Sequence, residues 1–427
     1  MRPTIRHAFV SVAVLTLANI ARGQKPPGSF TLSAQAIGLL TQATHTPLDR
    51  RLTEAYLTQP LLAAELHAAA FSAMGMLNLE GATLRRGELD LGEWGEGYVD
   101  RRHPHAYLHE LMVGAETPGV RVRGSLFAGR GFVPFGSDDP MSRPFVSYPV
   151  DHHLAQILER YVVVGAVSMR AVSLEAATFG GDEPVNPSTL PLARRFGDSW
   201  SVRGTLLGAG LSPRLEDAEL SASFANVKSP EYRAGRGLDQ RKAHVAVRVS
   251  GESAWLTRYA LVELARTTDV DRGRSLYTFD AALAEGALCH DALGIALRLE
   301  RSDRPEEERL TDLFRSARPA TDLSILGISE WTTITGAASL PAFSARLFRA
   351  APFLEVARIT ADRTTAAVFD PVRFYGSRSM WRFSVGVRIA AGSDHEHDRM
   401  GHYGAASLTS HDAMSHHDSL HRPQRCF

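Results

Sequence analysis

The sequence predicts an all-β fold: a transmembrane antiparallel β-barrel of about fourteen strands, within a range of 12–16, carrying long internal or periplasmic loops. Three observations lead there. Segments of roughly ten residues recur along the 427-residue chain and alternate with period two, so one set of side chains lies on each face of a strand. One face of each is apolar, while the other carries Arg, Glu, Ser and Gly, as a wet lumen would. Connections alternate between short and long. A soluble sandwich gives the same alternation with its polar face outward. The strand lengths suit a bilayer, which a tilted strand crosses in about 9–11 residues.

Residues 1–23 read as a secretory signal: Arg2 and Arg6 precede an apolar core over His7 to Ile20, with small residues Ala21 and Gly23 before a cleavage point at Gln24. That core is too short for a spanning helix, and no later apolar run reaches helix length. The barrel is expected over 24–391 and a His-rich, disordered tail over 392–427. Formal net charge is zero, so nothing favours nucleic acid as a partner. Lys occurs only as Lys25, Lys228 and Lys242, leaving nearly all positive charge to Arg. Cys289 and Cys426 can form at most one bridge, so this is no disulfide scaffold, and neither is expected to matter structurally.

The clearest strand is the last. Trp381, Phe383, Val385, Val387 and Ile389 face one way; Arg382, Ser384, Gly386 and Arg388 face the other. Residues 242–249 and 293–300 repeat the pattern, with Val245, Val247, Leu297 and Leu299 opposite His244, Arg248, Arg298 and Glu300. Strands are expected at about 30–43, 60–79, 104–116, 119–131, 160–178, 198–210, 217–227, 240–250, 253–266, 275–285, 288–300, 321–335, 344–360 and 379–390. Parity makes Arg121, Arg123, Arg203, Arg248, Arg298, Arg382 and Arg388 lumen-facing.

With both chain ends in the periplasm, the long connections 179–197, 228–239, 267–274, 301–320 and 361–378 fall outside the cell. By the same count 80–103 and 132–159 fall in the periplasm, where long loops are unexpected: either the count is off by one strand, or both are long ordered excursions on that side. Both mix charges of either sign with Gly, Pro and aromatics. Arg130, Asp138, Asp139, Arg143, His152, His153, Asp100, Arg101, Arg102, His103, His105 and His109 are therefore candidates for a pore constriction, since rings of charged side chains tune which ions pass. The bland alternative is a salt-bridged loop that merely props the barrel. A metal centre drawn from these five His with Asp138 or Asp139 is a third reading, but its spacing is loose. No nucleophile elbow or P-loop occurs, and no enzymatic step is expected. Asp151 is placed to cap a short helix over His152 onward.

In Gly129, Arg130, Phe132, Pro134, Phe135 and Gly136 the chain resembles bacterial outer-membrane porins, most closely the phosphate-selective type. The motif covers a few residues, and the barrel region resembles that class loosely. YLTQP, DRRHPHAYLHE and PVDHHLAQILER also resemble a porin-like group. The resemblance implies an outer-membrane location, contact with outer-membrane lipid and a homo-oligomer such as a trimer. Lys and Arg ladders serve anions in that class. Here Glu219, Glu300 and Asp138 would partly neutralise the Arg set.

The tail holds His395, His397, His402, His411, His416, His417 and His421 among acids, a composition that binds Zn or Cu. The expected function is an outer-membrane pore for passive diffusion of small hydrophilic solutes or ions, with no cofactor required. The alternative is a non-conducting barrel that binds metal ions or a partner through its periplasmic loops and tail.

Overall fold

The computed structural model describes residues 28–46, 50–83, 106–117, 121–137, 140–149, 152–184, 187–212, 215–252, 256–290, 293–307, 325–345, 348–363, 370, 372–373, 376–392 and 401–406. The strands are β1 (Ser29–Thr46), β2 (Arg50–Ala68), β3 (Phe71–Asn78), β4 (Leu108–Glu116), β5 (Val122–Gly131), β6 (Arg160–Met169), β7 (Val172–Phe179) and β8 (Ser199–Leu207). They continue as β9 (Ala218–Val227), β10 (Asp239–Glu252), β11 (Leu256–Asp271), β12 (Arg274–His290), β13 (Leu293–Glu307), β14 (Ile325–Ser339), β15 (Phe348–Arg363) and β16 (Ser379–Gly392). Phe343–Ala345 prolongs β14 beyond a break at Pro341, which has no N–H for the ladder, and both pieces pair with β15. Every strand runs antiparallel to its neighbours, and Ser33↔Gly392 through Ala43↔Arg382 closes β1 onto β16. The result is a closed sixteen-strand barrel with no free edge.

Sixteen strands stand where about fourteen were expected because two expected strands are hairpins. Segment 60–79 turns at Ala69, where φ is 57°, and 160–178 turns at Arg170, where φ is 31°. Tight hairpins favour Gly or Asn at such angles. An Ala–Ala and an Arg–Ala turn give no such signal. The stretch before Pro60 was also missed: β2 runs through that residue, with Gln59 at φ 47° and the register against β1 shifting between Gln35 and Ile37.

These hairpins correct the side assigned to the long loops. With both counted, 79–107 and 132–159 emerge at the same end as 180–198, 228–238, 308–324 and 364–378. The periplasmic position expected for them is wrong. The other end carries shorter connections, from 170–171 up to 208–217, and is therefore assigned to the periplasm.

The wall has an apolar outside. On β11, Val262 and Leu264 are exposed while Leu261, Glu263, Ala265, Thr267 and Asp269 are buried. On β13, Leu293, Ile295, Leu297 and Leu299 point out and Arg298 and Glu300 point in. Surface ion pairs Arg266–Asp280, Arg301–Glu330 and Arg378–Asp362 lie above this belt on the long-loop side. Exposed Trp381 and Phe383 stack there at 6.0 Å between centroids, as at a membrane interface. Putting Arg at Val262, which is 52% exposed in mid-belt, should cost about 2–4 kcal/mol of folding stability in lipid vesicles. Val262→Ala should cost far less; equal stability of the two variants would place this face in water.

Candidate functional site

The lumen is crossed by the segment that follows β5. Phe132 and Val133 leave the strand at the long-loop end, and the Val133 N–H bonds the Ile157 carbonyl at 3.1 Å. The chain then bends into the barrel at Gly136. That residue has φ 83°, and a Cβ there would overlap the Ala155 carbonyl, so the bend requires glycine. The Gly136 N–H donates to Ser223 Oγ on β9 at 2.9 Å, and its carbonyl accepts from Arg203 on β8 at 3.3 Å. Further along, Arg143 reaches β11 and β12, Phe145 lies under Arg298 of β13, and Val146 packs with Ile37, Tyr56, Trp331 and Phe353. The segment thus touches the wall from β8 through β16 and on to β1 and β2. It returns through α1 (His152–Ala155), a single turn capped against Phe279 and Ala265.

Four arginines and four glutamates fix this crossing. Arg143 donates to both Glu263 oxygens, at 2.9 and 3.2 Å, and its Nη1 lies 3.7 Å from Glu285. Burial alone would lower the Arg143 pKa, but Glu263 and Glu285 outweigh it and hold the guanidinium above its ordinary value. Arg298 donates to Glu285 at 2.7 Å and to the Ser147 carbonyl at 2.7 Å, and its charge sits 4.2 Å from the Phe145 ring centroid. Glu355 accepts the Val146 N–H at 3.0 Å and the Ser147 N–H at 3.4 Å, with Arg382 3.5 Å away. Arg203 forks onto Glu175 at 2.5 and 2.7 Å. His244 joins Glu263 at 3.2 Å. All eight charged groups are buried, which only close pairing permits.

Of the residues singled out in the sequence, Arg143 lies in this network, and Arg203, Arg298 and Arg382 face it from the wall. Arg248 approaches Glu219 at 3.9 Å, Arg123 pairs with Glu116 at 3.1 Å near the turn end, and Arg388 shares the inner face with Arg382. Arg121 is exposed and lies just before β5 begins, outside the strand. His109 is buried against Glu159, which also accepts the Ala106 N–H at 3.1 Å. The His109 ring stands edge-on to Phe132. Arg130 is buried nearby, opposite Leu111 and Tyr161 in the ladder. Asp100, Arg101, Arg102, His103, His105, Asp138, Asp139 and Asp151 lie outside the described residues. His152 and His153 are described only as backbone of α1. No group of three metal-ligating side chains occurs among the described residues.

Glu175, Glu263, Glu285 and Glu355 were not singled out. Each is an acid on the inner face of an otherwise small or apolar stretch such as ALVELA or ALAEGA, and that lone charge was the available signal. The tail supplied a second omission. His395, His397, His411, His416, His417 and His421 lie outside the described residues, but 401–406 is folded on the inner wall of β4 to β8, so the tail is not disordered there. Tyr403 is buried, stacks on Phe127 at 5.8 Å, and its hydroxyl accepts the Phe132 N–H at 2.8 Å. Burial, reinforced by a hydrogen bond to Glu110, raises its pKa well above the ordinary phenol value. Arg203 donates to the Gly401 carbonyl at 2.9 Å and stands 3.0 Å from His402 Nδ1. Ser125 accepts the Ala405 N–H at 3.0 Å.

A comparison with protein-family models found no match, and one with curated protein sequences found none. Solved structures do match. The chain is similar to the anion-selective porin from Comamonas acidovorans, at 11% identity and a TM-score of 0.50, over 85% of this chain and 100% of that one. A Salmonella typhi OmpF in complex with daunomycin matches at 12% identity and a TM-score of 0.49, over 86% and 100% of the two chains. A Pseudomonas aeruginosa OpdO matches at 9% identity and a TM-score of 0.39, over 86% and 98%. Closed antiparallel topology, an apolar exterior and a polar interior define a membrane β-barrel. Its fold is that of the bacterial outer-membrane porins.

Proposed function

We propose that the protein is an outer-membrane passage for small hydrophilic solutes, narrowed by residues 132–149. The observation that carries this reading is the anchoring of that segment inside a porin-type barrel by Arg143 on Glu263 and Glu285. A polar lumen in a lipid-facing barrel suits hydrophilic cargo, and a fixed constriction decides what passes. Inner-face groups are buried along most of β11, β13 and β15, so the passage is narrow. The Comamonas acidovorans porin is anion-selective. Here each guanidinium at the crossing meets a carboxylate, so ion preference is weak.

Purified protein in planar bilayers should give ohmic channels of small conductance, with a reversal potential near zero across a salt gradient. A strongly selective channel would overturn the paired-charge account. A barrel that inserts and never conducts would favour the second reading, a non-conducting barrel, to which the same burial of the inner face lends support.

A further inference from the structure

The segment after β16 has no part in closing the barrel, yet its six described residues occupy the lumen. Gly392 ends β16 at the turn end, where it pairs with Ser33. Gly401 lies against Phe132 near the long-loop end. There the chain lies inside the barrel. From Tyr403, beside Gly131, it descends to Ala405 and Ala406, which pack on Ala166 of β6. The inner wall is shaped for it. Phe127 offers a ring to stack on, Ser125 both donates to the Tyr403 carbonyl and accepts from Ala405, and the lack of a side chain at Gly131 leaves room for the phenol. A Cβ at Gly404, where φ is 55°, would meet Phe127 and Ser125.

Cys289 is buried on the inner face of β12, one residue from the turn end of that strand, and Cys426 lies outside the described residues.

We propose that the inner wall of β4 to β8 is a peptide site filled by the chain's own residues 401–406, which act as an internal stopper. The stopper sits beside the 132–149 crossing, sharing Arg203 and Phe132 with it, and further restricts the passage. Its effect on conduction rests on the pore reading; its presence does not.

For the stopper, Ala166→Cys is placed in a Cys289→Ser, Cys426→Ser background and labelled with a water-soluble maleimide. A chain ending at Gly392 should label roughly tenfold faster than the full-length chain, and Tyr403→Ala in the full-length chain should label faster too. Equal rates in all three would overturn the occupied site. In bilayers the same two changes should raise conductance at least severalfold. Unchanged conductance in channels that do open would overturn the restriction, whereas silence in every variant would sink the pore reading and leave labelling to judge the stopper.

Discussion

Arg143→Ala is expected to destabilise the folded barrel by about 3–5 kcal/mol, read from guanidinium unfolding followed by tryptophan fluorescence. The cause is what remains. Glu263 and Glu285 point into the lumen from β11 and β12, both are buried, and Arg143 is their shared counter-charge. Removing it leaves two carboxylates about a strand apart, with His244, Arg298 and the hydroxyls of Tyr259 and Ser137 to offset them. Ser137 loses its bond from the guanidinium and keeps its own to Glu263, so the crossing segment is held more weakly on this wall. Arg143→Lys should recover part of the loss, because a point charge cannot fork onto Glu263 as a guanidinium does. A cost under 1 kcal/mol for Arg143→Ala would mean that the segment is held elsewhere.

Arg298→Ala should cost a similar amount, about 3–5 kcal/mol, by a different route. Its side chain is 0% exposed and joins three things at once: the Glu285 carboxylate, the Ser147 carbonyl and the face of Phe145. Its loss frees the far end of the crossing from β13 while Glu355 still holds Val146. Because Arg143 and Arg298 share Glu285, the double variant should depart from the sum of the two single costs by at least about 0.5 kcal/mol. Strict additivity would show that the two anchors are energetically separate.

Much of the wall was legible because lipid enforces a simple code. Trp381, Phe383 and Val385 must face out if Arg382 and Ser384 face in, and the ladder of β16 against β15 follows. The hairpins at Ala69 and Arg170 were not legible, since neither turn carries Gly, Pro, Asn or Asp, and missing both put two long loops at the wrong end. Arg143 was visible as a charge in an unusual loop. Glu263, Glu285 and Glu355 were harder to weigh, because which inner-face residue meets the crossing segment depends on how that segment folds back, a long-range outcome that no local pattern encodes. Tyr403 was hidden for the same reason: GHYGAA looks like polar tail, and it is the pocket between Phe127, Gly131 and Ala166 that gives it a place.

In the proposed pore, residues 132–149 cross the lumen and set the size of the passage. Single-channel conductance of the Arg143→Ala, Arg298→Ala double variant tests it most directly, since only folded, inserted barrels are counted. The account predicts channels severalfold larger than those of the unsubstituted chain, with preference shifted toward cations by the uncovered Glu263 and Glu285. Channels of unchanged size and unchanged reversal potential would contradict it.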